Sequence, residues 1–388
     1  MARVVVSGYM LRLPLPGNVL ASFQYLLGLE RLGHSVVYIE ESGWPGSSYD
    51  PGSQLWSDYP VAGLQVARNL ARQHRLDARL CFVNRETGVT HGVTWDELGP
   101  LLEGADLLLD VGGVCWLEEF QRCRRRALVD MDPMFTQVGR FASRVLGTYD
   151  IHFTYGTNIG RTGCSVPPAG FEWVATLPPV VPEMWPRAAA QPGSPYTTIA
   201  SWSAYGGIEH QGQRYGQKDS EFTRVIDLPG KVSVPIHLAL AGAGEEVLEQ
   251  LSARGWRAFD AREVGADVHR YVDFISRSRG ELSVAKHAYV TTRSGWVSDR
   301  TVCYLASGLP AIVQDTGIVC LPLGEGLLTF TNVAEAAECF EAVEADHARH
   351  AGAALALASD VFSYRHVLPR LLAVAMEDAS PRVAGAAR

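Results

Sequence analysis

Two aspartates close an apolar run in ALVDMDPMFTQ (127–137), and their type and spacing suggest chemistry. At a strand end, Asp130 or Asp132 can take a proton from a hydroxyl as a general base. Asp-x-Asp also suits hard-oxygen ligation of a divalent ion, and equally the capping of the turn that follows. In HFTYGTNIG (152–160), His152 is an alternative base because imidazole titrates near neutrality, with Tyr155 and Asn158 close in sequence. Asp110, in DVGG (110–113), marks a third strand terminus.

Cations gather in the second half. In TTRSGWVSDRTVCYLASGLPAIVQDTGIVCLPLGEGLL (291–328), a glycine turn meets SDRT, where Ser298 or Asp299 can cap a helix over 299–308. Free N–H groups at that start, through Arg300 and Thr301, would form an anion site. Arg293 and Arg300 could add bidentate contacts to a diphosphate. The next strand ends in Asp315, Thr316 and Gly317, and GEGLL supplies Glu325. Lys286, in SRSRGELSVAKHAYV (276–290), could neutralise a leaving diphosphate. A cap or a solvated ion pair explains any one of these residues; their convergence on one cleft edge favours phosphate. His347 and His350 (HARH) lack a third ligand, so a metal is not expected. G-x-x-x-x-G-K-[ST], G-x-S-x-G and G-x-G-x-x-G are all missing, which disfavours kinase-type loops, hydrolase elbows and nicotinamide cofactors.

Positioning these groups requires parallel strands. RVVVSG (3–8), a helix with Leu20, Phe23 and Leu27 at helical spacing, and HSVVYIE form a crossover unit. ARLCFV (78–83), ADLLLDVGG (105–113) and RALVDMDP (126–133) continue the series. TLPPVVPEMWPRAAAQPGSP, with six prolines, is the linker. Beyond it YTTIASW, VPIHLAL, WRAFDA, AYVTTR (288–293) and PAIVQD read as strands, separated by helices over 244–255, 267–279 and 299–308. FSYRHVLPRLLAVAME (362–377) is a helix expected to kink or break at Pro369. The 388 residues fit two domains, and 47% hydrophobic with 20% charged content is that of a packed protein. A net charge of −8 argues against coating nucleic acid or an anionic membrane. Seven scattered cysteines and no apolar leader point to a cytoplasmic protein.

The helix followed by ASGLPAIVQDTG and GEGLL resembles the carboxyl-terminal half of GT-B glycosyltransferases. GNVLASFQYLLGLERLGHSVVYIE is similar to their amino-terminal element ending in L-x-x-x-G-H-x-V, in which His34 is structural. The resemblance implies that the second domain binds a nucleotide sugar and the first an acceptor. It places Ser201, Trp202, Tyr215, Gln217 and Lys218 of SWSAYGGIEHQGQRYGQKDSEF (201–222) over the donor. Gly17, Asn18, Asp110, Tyr155 and Asn158 are the acceptor-side candidates, and Trp44, Trp56, Trp116 and Trp173 could line the acceptor cleft. Two departures stand out. Cys303 occupies the place of a ribose-binding Glu, leaving Glu325 or Asp315 for that task. The loop 7–18 also lacks the acid or His that several inverting members use as a base.

The expectation is an α/β protein of two Rossmann-like domains facing across a cleft (GT-B type). The domains would span 1–180 and 195–360, followed by a helix over 361–388 that crosses back and ends in a frayed tail. It would transfer a sugar from a nucleotide diphosphate donor to a small-molecule hydroxyl or amine, using Asp132, His152 or Asp130. No metal and no cofactor beyond the nucleotide-sugar co-substrate are expected, and no nucleic-acid or membrane partner; the chain would be a monomer or homodimer. A nucleotide-sugar 2-epimerase-like enzyme or a non-catalytic nucleotide-sugar binding protein are the alternatives.

Overall fold

The computed structural model describes residues 1–377 apart from 140, 141, 143–145 and 190, so the tail expected to fray lies outside the described residues. Near-continuous Val, Leu and Ile runs, buried on both faces, make parallel sheets. The first holds β1 (Arg3–Ser7), β2 (Ser35–Glu41), β3 (Arg79–Val83), β4 (Thr90–His91), β5 (Leu107–Val111), β6 (Arg126–Asp130), β7 (Ile151–Thr154) and β8 (Trp173–Ala175). Their order is β8-β7-β6-β5-β1-β2-β3-β4, parallel except for β4 on β3. The second holds β9 (Tyr196–Ser201), β10 (Ile236–Ala241), β11 (Arg257–Asp260), β12 (Gly280–Ser283), β13 (Ala311–Gln314) and β14 (Leu327–Phe330). They run β11-β10-β9-β12-β13-β14, all parallel. Each order reverses beside the sheet's first strand, and ligands of open α/β sheets bind at such switch points. The expected α/β architecture of two Rossmann-like sheets is present.

α1 (Pro16–Arg31) opens on Pro16, whose missing N–H would be unpaired in a first turn anyway, and ends before Gly33 at φ +86°. Leu20, Phe23 and Leu27 bury its inner face in the first core. In the second half α2 (Lys218–Phe222), α3 (His287–Thr291) and α4 (Asp299–Ala306) matter for the site. AYVTTR, read as a strand, belongs largely to α3. The sheet position it would have taken is filled by GELS of β12, and β-branched content yields to that context.

The proline-rich stretch joins the sheets and also pairs with the segment around Ser363: the Val180 N–H donates to the Phe362 carbonyl and the Tyr364 N–H to that of Val180, both at 2.8 Å. α5 (Tyr364–Met376) then packs on α1. Gly28 permits the approach, because a Cβ there would lie 2.7 Å from Leu368 and 2.8 Å from Tyr364. The kink or break expected at Pro369 does not interrupt α5, which buried Leu368, Leu371 and Leu372 hold to the core. Among the described residues no helix is long and apolar enough to cross a membrane. All seven cysteines are free.

Candidate functional site

Loops leaving the carboxyl ends of β6 and β7 meet those that follow β12 and β13. Asn158 donates from Nδ2 to the carbonyls of Arg293 (3.0 Å) and Gly317 (2.7 Å). Thr157 Oγ1 donates to the Gly295 carbonyl (2.9 Å), and Trp296 Nε1 to that of Met131 (3.0 Å). Gly317 (φ +87°) is required here, since a Cβ would press on Asn158 Nδ2 at 3.2 Å. Asn158, expected on the acceptor, is therefore a clasp between the halves. Thr316 Oγ1 ties down the Trp296 carbonyl (2.7 Å), and Asp315 Oδ1 accepts the N–H of Gly317 (2.8 Å), so both shape this loop.

Beside the clasp, Lys286 Nζ lies 2.9 and 2.8 Å from the two carboxylate oxygens of Asp132, across the boundary between the halves. The Tyr289 hydroxyl also donates to Asp132, and Lys286 reaches the Tyr205 hydroxyl at 2.6 Å. The rings of Phe135, Tyr205 and Tyr289 surround the ammonium at 4.7, 4.6 and 5.4 Å, each close enough for cation–π attraction. The expected base and the expected phosphate ligand are thus each other's partners.

Deeper in the second half, Lys218 begins α2 and is buried. Its ammonium donates to the Val284 carbonyl and stands 5.8 Å from the Trp296 ring. Among the described residues no carboxylate pairs with it. Burial lowers its pKa well below the ordinary value, and the neighbouring Arg300 and Lys286 charges lower it further. A bound anion would favour its charged form.

Several expectations need correction. Arg300 does not face a diphosphate: Nε donates to Glu281 (2.7 Å), and its two terminal nitrogens to the Ile199 carbonyl (2.6 Å) and Ser283 Oγ (2.8 Å). Ser298 does cap α4, accepting from the Arg300 N–H at 3.2 Å, so that amide is taken within the chain, and the turn before it packs on the Thr157–Asn158 loop. Asp299 follows the cap, and Thr301 is buried. Asp130 is no free base, because Thr136, Gln137, Thr154 and the Asp132 N–H all donate to it. His152 is packed among Phe171, Trp173 and Tyr149 and bonded to the Leu146 carbonyl, which removes it from the site. Tyr155 is buried against the Tyr25 hydroxyl, and Asp110 sits beneath Tyr149; neither can touch an acceptor. Trp202 packs on Phe222 against the second core, and exposed Glu325 pairs with Arg349 on the surface. Ser201 and Arg293 are exposed at loop starts. Gly17 and Asn18 form the first turn of α1, Asn18 bonding back to the Leu13 carbonyl.

Tyr289, Tyr205, Phe135 and Glu281 complete the charged centre. The spacing of Lys286 and Tyr289 is the one readable signal for Tyr289, on a helical reading of KHAY. Among the described residues no cluster of three or more His, Cys, Asp or Glu is arranged to hold a metal ion.

Comparison with known proteins rests on structure, since no protein-family model and no curated protein sequence matches the chain. An alpha-glucosyltransferase in complex with UDP and a 13-mer DNA superposes with a TM-score of 0.58 at 10% identity, covering 97% of this chain and all of that one. Anabaena Alr3699/HepE, in complex with UDP and glucose, gives 0.53 at 12% identity over 96% of this chain and 99% of its own. AviGT4, a glycosyltransferase involved in avilamycin A biosynthesis, gives 0.51 at 15% identity over 96% and 97%. The fold is GT-B. In GT-B terms the two sheets are the two lobes, and the charged centre lies where they meet. One expectation falls with this comparison. The alpha-glucosyltransferase was solved in complex with DNA on the same fold, so the expectation of no nucleic-acid partner does not stand.

Proposed function

We propose that this protein transfers a glycosyl group from a nucleoside diphosphate sugar to an acceptor hydroxyl or amine. The observation that carries the reading is Lys218, a buried amine that among the described residues has no carboxylate partner and stands near Arg300 and Lys286. Breaking a glycosyl–phosphate bond leaves charge on the diphosphate, and preorganised cations in a poorly solvated site stabilise that charge. A diphosphate bound at Lys218 would compete for Lys286 and release Asp132 to accept the acceptor's proton. Solved GT-B structures in complex with UDP support the donor class.

The test is a thermal-shift panel of UDP, ADP, GDP and dTDP, followed by sugar-nucleotide consumption with and without acceptors. One diphosphate should raise Tm by a few degrees when present at about 100 times its Kd, and at the same concentration Lys218→Met should cut the shift to about half or less. No response to any diphosphate overturns the reading. Isomerisation of the sugar without acceptor would instead make it an epimerase, and binding without turnover a binding protein.

A further inference from the structure

The first lobe holds an aromatic feature that its core does not use. Ser48–Asp50 and Leu55–Ser57 form a hairpin that pairs Tyr49 with Trp56, their ring centroids 4.9 Å apart. Trp56 is 56% exposed on the face it shares with Tyr49, and Leu55, 67% exposed, lies on the other face with Asp50. The feature is rigidly mounted. The Tyr49 N–H donates to the carbonyl of buried Arg12 at 2.7 Å. Glu40 and the carbonyls of Ser42 and Val114 hold the Arg12 guanidinium, which in turn stacks on half-exposed Trp44 at 5.3 Å.

Its position is informative. The hairpin follows the carboxyl end of β2, and at its tip Gln54 Oε1 accepts from Arg262, which follows the carboxyl end of β11 in the other lobe (3.0 Å). It therefore bridges the two lobes near the carboxyl ends of their sheets. One exposed carboxylate follows Trp56 by two residues: Asp58, bonded to the Gly46 N–H, which retains lone pairs for further donors. Asp50 caps the hairpin turn through Gly52 and Ser53 and pairs with Leu55 on the opposite face.

We infer that Trp56, braced by Tyr49, is the acceptor platform and that the acceptor presents an uncharged pyranose ring. An aromatic face takes the C–H side of a sugar ring, while the nearby Asp58 carboxylate would accept from its hydroxyls and disfavour anions. This deepens the glycosyl-transfer reading and rests on it for the word acceptor, but the platform can be tested by binding alone.

The experiment is saturation-transfer NMR of the full chain with methyl α- and β-hexopyranosides and matching disaccharides, alongside a 13-mer DNA duplex. It is paired with UDP affinity and with KM and kcat for transfer to whichever pyranoside binds. Protons of one ring face should saturate. Trp56→Ala should weaken pyranoside binding and raise KM about tenfold, the scale of one lost stacking contact, with UDP affinity unchanged within twofold. Trp56→Phe should recover most of the loss. If the alanine variant does not fold, Trp56→Leu, which keeps apolar bulk but removes the ring, should show the same loss. Absence of pyranoside binding, equal KM in wild type and variant, or tighter Trp56-dependent binding of the duplex each overturns the inference. Failure to bind any nucleoside diphosphate while pyranosides still saturate at Trp56 strikes the donor reading and leaves the platform standing.

Discussion

Both lobes bury charge near the carboxyl ends of their strands, yet they resolve it in opposite ways. In the first lobe Asp130 accepts four hydrogen bonds, and Arg12 is locked to Glu40 and two carbonyls. Asp110 has fewer partners, and burial drives its pKa up to about 7, so a proton makes up the shortfall near neutrality. In the second lobe Arg300 is answered in full by Glu281, Ser283 and Ile199, while Lys218 beside it is not. A buried charge whose partners are complete belongs to the fold. One left wanting an opposite charge marks a place where binding energy is held in reserve.

Arg300 gives the largest effect. Arg300→Leu strands Glu281 in the second lobe, and removing one partner of a buried pair costs about 3–5 kcal/mol. Denaturant unfolding should show that loss. A near-neutral variant would mean Arg300 is not part of the scaffold and would return it to the diphosphate. Next comes Asp110. Its folded-state pKa lies above that of the unfolded chain, so the folded form binds more protons between the ordinary carboxyl value of 3.8 and about 7. Wild type should therefore lose stability relative to Asp110→Asn as pH rises through that window, by at most ~4 kcal/mol. A pH-independent difference between the two proteins would sink the assignment.

Asp132→Asn separates the two uses of charge at the boundary. If Asp132 takes the acceptor's proton, turnover should fall at least ~100-fold, the usual scale for a lost general base, with UDP affinity changed less than about threefold. Equal losses in both would make the residue an anchor for Lys286 alone. Lys218→Met should weaken UDP binding by about 10–100-fold, as expected for a charge-assisted contact of roughly 1.5–3 kcal/mol. Stability without ligand should not fall, because the variant no longer buries an ammonium. Lys218 is depressed below its ordinary 10.5, so its ionisation favours the unfolded chain below that value. The variant's stability advantage should consequently shrink as pH rises toward 10.5.

What the sequence made legible follows the same division. Parallel strands announce themselves as apolar runs, and Pro16 and Gly33 mark the ends of the first helix, so the architecture could be read locally. Asp132 and Lys286 could be recognised by type and by their places at element ends. Their pairing could not, because 154 residues of chain separate them and the contact exists only once the lobes meet. Arg300 misled for a related reason. A guanidinium one residue into a helix looks like a phosphate ligand until the register of β12 sets Glu281 and Ser283 beneath it. KHAYVTT misled through β-branched content, which hid the helical spacing of Lys286 and Tyr289.

The smallest expected effect concerns the clasp. Asn158 is one of the few polar side chains that cross the boundary without carrying charge, and its two donor bonds hold the carbonyls of Arg293 and Gly317. At about 0.5–1.5 kcal/mol net per bond, Asn158→Ala should cost roughly 1–2 kcal/mol of stability. UDP affinity should drop by less than tenfold, because the cations themselves stay in place. Asn158→Asp sharpens the point. A carboxylate facing two carbonyls exchanges attraction for repulsion and carries a desolvation cost, so it should be worse than alanine in both unfolding and UDP titration. Were the aspartate variant tolerated as well as the alanine one, the loops would have to part at no cost, and the boundary between the lobes would be a surface contact with no hold on the charged centre beside it.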